Sequence, residues 1–234
     1  MNSKNLTIED LIKKWKKRPY SWSQHSSWDW DKDQWYESYM LGNRGESSAQ
    51  MEFGNTVGDS LGTKDQMIAM PTLPHKEYEV RAKLDGTELV GYFDFYEDKD
   101  PEIQENKTSS NTSKWTIASV ATHGQLDFYG VLLYLPHRAG CSDKRNDPCP
   151  RGCVLGDLKP KKSIKPEKVK MKLYYIPVNE GSDFEMEITR GAKVSVFPTG
   201  RTTAQIFKMM VEIKKRRKEM EAYARKRLKD DSDT

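Results

Sequence analysis

Apolar and polar positions along the chain alternate between two periods, and the changes of period divide it into elements. Helical spacing comes first, from about Ile8 to Arg18. Thr7 is placed to cap this helix, Asp10 sits at its third position, Leu6 and Leu11 have the spacing of a hydrophobic staple, and Pro19 stops it. Residues 21–42, SWSQHSSWDWDKDQWYESYMLG, carry Trp22, Trp28, Trp30, Trp35, Tyr36 and Tyr39. Such a stretch can stack nucleobases, but large aromatics fill cores more often, and the core is the favoured reading. A second helix is expected from Ser48 to about Leu61, with Met51, Val57 and Leu61 among small residues.

The period then shortens to two. YEVRAKL (78–84) and ELVGYFDFY (88–96) flank Asp85-Gly86, a tight hairpin turn, and EIQENKT (102–108) follows through the turn-rich EDKDP. Helical patterning returns from about Lys114 to Leu135. VKMKLYYIPV (169–178) reads as a strand, FEMEITR (184–190) and KVSVFP (193–198) as a further strand pair, and 201–229 as a closing helix. Residues 137–168, rich in Gly, Pro and charge, read as a loop insertion. The order predicts an α/β domain: a mixed central sheet flanked by helices, spanning 1–234 as one unit.

Composition narrows the class. With 35% hydrophobic residues in 234, the chain can build one substantial core. No apolar run approaches the ~18 residues of a membrane span. The polar, Lys-rich start argues against a secretory signal, and an odd count of three cysteines argues against a disulfide scaffold, so a cytoplasmic protein is expected. Charge is unevenly placed. Lys208 to Lys229 holds ten basic and three acidic residues, a net +7, which leaves −3 on the rest. An acidic body with a basic helix suits a metal–carboxylate site beside a phosphate-binding surface, against the plainer reading of a solvated helix face. Ile206, Met210, Ile213, Met220 and Ala224 form an approximate apolar stripe on that helix, leaving Lys214, Lys215, Arg217 and Lys218 as candidate phosphate contacts.

Three residues carry candidate chemistry. Asp94 lies in an otherwise apolar strand, where an unpaired carboxylate is costly unless it binds something. Glu105 and Lys107, one residue apart, fall on one face of the next strand. If the strands pair, two carboxylates and an ammonium converge, as a divalent cation and a water at a phosphodiester require. A structural Glu105–Lys107 ion pair is the alternative. Glu97-Asp98-Lys99 and Glu212-Ile213-Lys214 repeat the spacing, the first in a loop and the second on the basic helix. Gln125 and Tyr129, four residues apart, share a helix face.

Together Gly91-Tyr92-Phe93-Asp94, Glu105-Asn106-Lys107-Thr108 and Gln125 to Tyr129 resemble, in order and spacing, the RecB-like, lambda-exonuclease-like branch of the PD-(D/E)xK nucleases. EFGNTVGDSL looks like the family's first helical motif and LPHKEYEVRAKL like its first strand, so the resemblance covers roughly residues 20–135. It implies a restriction-endonuclease-like core and a Mg2+-dependent nuclease, with Mn2+ as substitute. The implied activity is exonucleolytic and serves phage-type recombination, repair or replication in the host cytoplasm. The implied partners are DNA and a recombination or single-strand-binding protein. Asp94, Glu105 and the Asn106 carbonyl would hold the metal, Lys107 would act on the attacking water, and Gln125 and Tyr129 would hold the DNA backbone or support the site. Many relatives carry a His or Glu four residues after the motif glycine. Here Gly58 follows Gly54 at that distance, and Glu52 or Asp59 would have to compensate. A non-catalytic nucleic-acid-binding protein, using the basic helix and the aromatic segment, is the competing class.

The cysteines, Cys141, Cys149 and Cys153, all fall in 137–168. A zinc site wants four ligands, and His137 or His123 would have to be the fourth; the expectation is ordinary thiols in a surface loop, without zinc. Iron–sulfur relatives have one early and three late cysteines. The early position here reads WDWDKDQW, so no iron–sulfur cluster is expected.

Overall fold

Asp85 and Gly86 take positive φ values of 46° and 81°, the conformation that turns one strand straight back onto the next. They join β2 (His75–Leu84) to β3 (Thr87–Glu97), the centre of a mixed sheet that has nine strands among the described residues of the computed structural model. The structure describes residues 7–230 except 44, 112, 143–148, 182–184 and 192. The remaining strands are β1 (Tyr20–Ser21), β4 (Glu102–Ser109), β5 (His137–Cys141), β6 (Lys159–Lys161), β7 (Lys170–Glu180), β8 (Met186–Ile188) and β9 (Ser195–Thr199). Their order is β6-β5-β2-β3-β4-β7-β8, with β9 also on β7 and β1 parallel to β3. β4 and β7 pair in parallel from Glu102↔Lys170 to Ser109↔Pro177.

Helices cover both faces. α1 (Ile8–Lys16) starts with the expected capping box: Thr7 Oγ1 accepts the Asp10 N–H, and Asp10 accepts the Thr7 N–H. Leu6, the other half of the expected staple, lies outside the described residues. The aromatic stretch folds into α2 (Trp22–Trp30), α3 (Lys32–Trp35) and a π-helical turn over Tyr36–Leu41. Trp28, Trp35 and Tyr36 are buried, and Trp15 and Trp28 meet Trp35 edge-on, so this segment mostly builds core; Trp30 alone stands 87% exposed. α4 (Ala49–Ser60) packs Val57 and Leu61 against Phe95 and Ile176. The other, larger core lies between the sheet and α1, α2, α6 (Gly124–Tyr134) and α7 (Thr203–Asp230), where Ile206, Met210, Ile213, Met220 and Ala224 are all buried. Among the described residues no helix is long and apolar enough to cross a membrane.

Three expectations need correction. The pattern over 114–135 is two helices, α5 (Ile117–Ala121) and α6, broken at Thr122-His123. Thr116 caps α5, His123 caps α6, and the buried Arg201 guanidinium donates to the carbonyls of Val120 and His123, so the break leaves few backbone groups unpaired. Residues 137–168 are not simply a loop, because their first five fill the open edge of β2, from Ala82↔His137 to Tyr78↔Cys141. FEMEITR and KVSVFP do not pair with each other: β9 pairs with the first half of β7 and β8 with its end, while Phe184 lies outside the described residues. β7 is long enough for both, with 11 residues against three and five.

Candidate active site

β3 and β4 pair over only three residues, Glu97↔Glu102 to Phe95↔Gln104, and then part. At the fork Asp94 Oδ2 accepts the Asn106 N–H at 2.6 Å. The alternation of β3 slips at the same place: Phe93 and Tyr96 both enter the main core, and Phe95 enters the cluster under α4. Opposite, on β2, Glu77 has φ 49°. An irregularity of this kind re-aims side chains next to a site.

Glu105 is 1% exposed. Its Oε1 lies 2.5 Å from Lys107 Nζ, as the one-face spacing requires, and its Oε2 is buried with no hydrogen-bond partner among the described residues. Lys107 Nζ also donates to Gln125 Oε1 at 2.9 Å. Gln125 Nε2 donates to the Tyr129 hydroxyl at 2.7 Å, and that hydroxyl donates to the Tyr92 carbonyl at 2.7 Å. Gln125 and Tyr129 thus hold Lys107 and β3 in place, and Tyr129 itself is buried. Gly91 makes this possible: a Cβ there would stand 2.5 Å from Leu132 Cδ1 and 3.3 Å from the Tyr129 ring. The glycine lets α6 lie directly on β3.

The electrostatics follow from the crowding. Burial, and then the Glu105 charge, raise the Asp94 carboxyl well above the usual carboxylate range. Burial alone would lower Lys107, but the Glu105 and Asp94 charges outweigh it and its ammonium is held more firmly than usual. A cleft of about 530 Å3 opens over these groups, lined from α4 by Gly54, Asn55 and Asp59 and from β2 by Lys76 and Glu77. Lys76 Nζ donates to the carbonyls of Asp59 and Leu61, where the α4 macrodipole ends. Gly54 packs on β4, since a Cβ there would lie 2.9 Å from Thr108 Oγ1.

Of the two acids considered for the missing position, Asp59 lines the cleft and Glu52 is exposed outside it. Glu77, which the sequence reading passed over, lines the cleft and adds its charge to the field at Asp94. Its signal was the β2 position opposite Asp94, and the positive φ that places it has no mark in the sequence. The repeat Glu97–Lys99 stays in the β3–β4 turn, where Glu97 meets Arg151.

The basic helix is more committed than its charge suggests. Lys214 reaches Asp85 of the hairpin turn, and Arg216 pairs with Asp29, Glu212 and Glu219. Arg217 lies 3.8 Å over the Trp15 ring and donates to the Lys16 carbonyl, and burial lowers its pKa to about 10. It fastens α7 to α1 rather than offering a charge to phosphate. Lys215 and Lys218 remain exposed.

The structure leans against the expectation of ordinary loop thiols. Cys141 and Cys149 are buried, and with Cys153 and His75 they form a cluster whose ligating atoms all lie within 4.8 Å of one another. His137 and His123 are elsewhere: His137 bonds the Leu135 carbonyl, and His123 caps α6 and stacks on Trp115. His75, at the start of β2, is brought in by the β2–β5 pairing that residues 137–141 make.

No family model matches this chain, and no curated protein matches it. Among solved structures, one described as the crystal structure of SSO0001 is similar over 90% of this chain and 85% of its own, at 11% identity and a TM-score of 0.41. That likeness is too low to carry an argument about the site.

Proposed function

We propose that this protein is a Mg2+-dependent DNA nuclease of the RecB-like PD-(D/E)xK type, an exonuclease serving phage-type recombination, repair or replication. The observation that carries the reading is Glu105, a buried carboxylate set beside Asp94 at a polar cleft, whose Oε2 has no hydrogen-bond partner among the described residues. Burial and the neighbouring Glu105 charge make Asp94 costly to ionise, and a divalent cation removes that cost. Asp94 and Glu105, with the Asn106 carbonyl implied by the family, would hold it. The cation, when bound, polarises a phosphoryl oxygen and lowers the pKa of a bound water.

The chain's own groups do the rest. Lys107, kept protonated by its neighbours, orients the attacking water and stabilises charge on the phosphorane-like transition state. Gln125 fixes the direction of that ammonium, and Tyr129 fixes Gln125. Of the four candidate phosphate contacts on the basic helix, Lys215, with only a 3.9 Å pairing to Glu219, and Lys218 are the ones proposed to meet DNA. The competing reading, a binding protein without catalysis, loses support because Arg216 and Arg217 are spent on contacts within the chain.

The test is end-labelled single- and double-stranded DNA, linear and circular, with Mg2+ or Mn2+. Cleavage of linear substrate from its ends, abolished by EDTA, is the expected result. Absence of cleavage from every substrate with either cation would overturn the proposal.

A further inference from the structure

We propose that His75, Cys141, Cys149 and Cys153 bind one structural zinc ion, which clips the end of β5 and the turn carrying Cys149 and Cys153 to the start of β2. His75 Nδ1 lies 3.3 Å from Cys141 Sγ and 3.5 Å from the sulfurs of Cys149 and Cys153, and Cys141 and Cys149 sulfurs are 3.6 Å apart. A tetrahedral zinc with Zn–S of ~2.3 Å and Zn–N of ~2.0–2.1 Å requires N···S of about 3.5 Å and S···S of about 3.8 Å. Four edges of the cluster have about those lengths, and the two to Cys153 from the other sulfurs are within 4.8 Å. Donor type agrees, because three thiolates and an imidazole in a closed tetrahedron select zinc. A four-iron cluster puts each ligand on a separate iron, which needs ligand atoms spread further than the 4.8 Å seen here.

The surroundings are those of a built metal centre. The second ring nitrogen of His75 lies 3.2 Å from Asp98 Oδ1, the carboxylate partner that orients a metal-bound imidazole. Between the second and third cysteines the chain turns tightly, with Gly152 at φ 69° and its N–H on the Cys149 carbonyl. Gly156, at φ 77°, donates to the Cys141 carbonyl. Gly140 admits the Asp157 carbonyl, which would stand 2.6 Å from a Cβ. Arg151 reaches Glu97 in the β3–β4 turn, so the segment is fastened to two neighbouring elements.

The ion has a second consequence for the cleft. His75 is followed directly by Lys76 and Glu77, both of which line it. Zinc would therefore fix the end of β2 from which one wall of the cleft is built. This inference stands independently of the nuclease reading.

Metal analysis of untagged protein purified under reducing conditions should find about one zinc per chain, with neither iron nor acid-labile sulfide. Replacing zinc by Co2+ should give the thiolate charge-transfer and strong visible bands of a tetrahedral S3N site. His75→Asn and Cys153→Ser should lose the metal, His75→Cys should keep it, and Asp94→Asn should leave the zinc content unchanged. Titrating wild-type thiols with a mercurial should release the zinc as three thiols react, with Tm falling by about 10 °C or more. That measurement needs no variant to fold. Folded wild-type protein without zinc, iron with sulfide in its place, or a full zinc complement in both His75→Asn and Cys153→Ser would each overturn the proposal.

Discussion

Asp94 Oδ2 accepts the backbone N–H of Asn106 at the point where β3 and β4 separate. One carboxylate oxygen therefore ties two diverging strands together, and the same residue is crowded by Glu105. The carboxyl's pKa is raised in the folded chain, first by burial and then by that neighbour. The folded state thus holds its proton more tightly than the unfolded chain does. In cation-free protein the Asp94 contribution to stability should be most favourable at low pH and should fall as pH rises from ~4 through the raised value. Asp94→Asn keeps an acceptor for Asn106 and removes the repulsion. In EDTA at neutral pH its Tm should exceed wild type by a few degrees, about 2–4 °C for each kcal/mol relieved. Mg2+ should raise the wild-type Tm and leave the variant's unchanged.

Catalysis separates the site from its decoy. Asp94→Asn, Glu105→Gln and Lys107→Ala should each lower cleavage by about 100-fold or more, while circular dichroism stays that of wild type. Lys107→Ala should retain metal affinity. Glu97→Gln with Lys99→Ala should cleave normally, because that pair lies in the turn outside the cleft. A dead decoy with an active Glu105→Gln would place the chemistry elsewhere.

Gly91→Ala tests the contact between α6 and β3. Its Cβ would fall 2.5 Å from Leu132, and overpacking of this kind costs about 1–3 kcal/mol. A urea titration should show the loss, and cleavage should fall with it as Tyr129 and Gln125 are pushed off Lys107. A variant as stable as wild type would mean that α6 shifts freely.

His123 gives a pH dependence of opposite sign. Burial first, then the charges of Lys107 and Arg201, lower its pKa to about 4, so the folded chain holds it neutral. Its stabilising contribution is complete above ~6.5 and is lost as pH falls toward about 4. His123→Asn keeps a cap acceptor for α6 and removes the titration. The difference in Tm between variant and wild type should change across this window, and a constant difference would exclude His123 as its source.

Salt dependence divides the basic helix. Changing Lys215 and Lys218 to Gln should shallow the slope of log affinity for duplex DNA by up to about 0.9 per lost contact, with Tm unchanged. Arg217→Gln should lower Tm instead, since it strips the Trp15 ring and the α1 carbonyls of their cation. An unchanged slope in the double variant would make this face a solvated one.

What could be read in advance followed from local rules. Hairpin, capping box, apolar stripe and the shared face of Glu105 and Lys107 each depend on residues a few positions apart. The failures were all non-local. Residues 137–141 look like loop until β2 offers them an edge. Arg217 looks like a DNA contact until Trp15, about 200 residues earlier, is folded beneath it. His75 joins the cysteines only through strand pairing, whereas the sequence offered His137 or His123. Glu77 enters the cleft through a backbone angle that its residue type does not announce.

The parallel pairing of β4 with β7 sets an order of events during synthesis. Glu105 and Lys107 face Leu173 and Tyr175, almost 70 residues downstream. A nascent chain released as far as α6 already carries every motif residue of the cleft, yet β4 is still an open edge without its neighbour. Contacts so distant in sequence form late and slowly. A chain ending after α6 therefore carries the motif residues without the strand that completes their side of the sheet, and the cleft takes its final form only once β7 has left the ribosome.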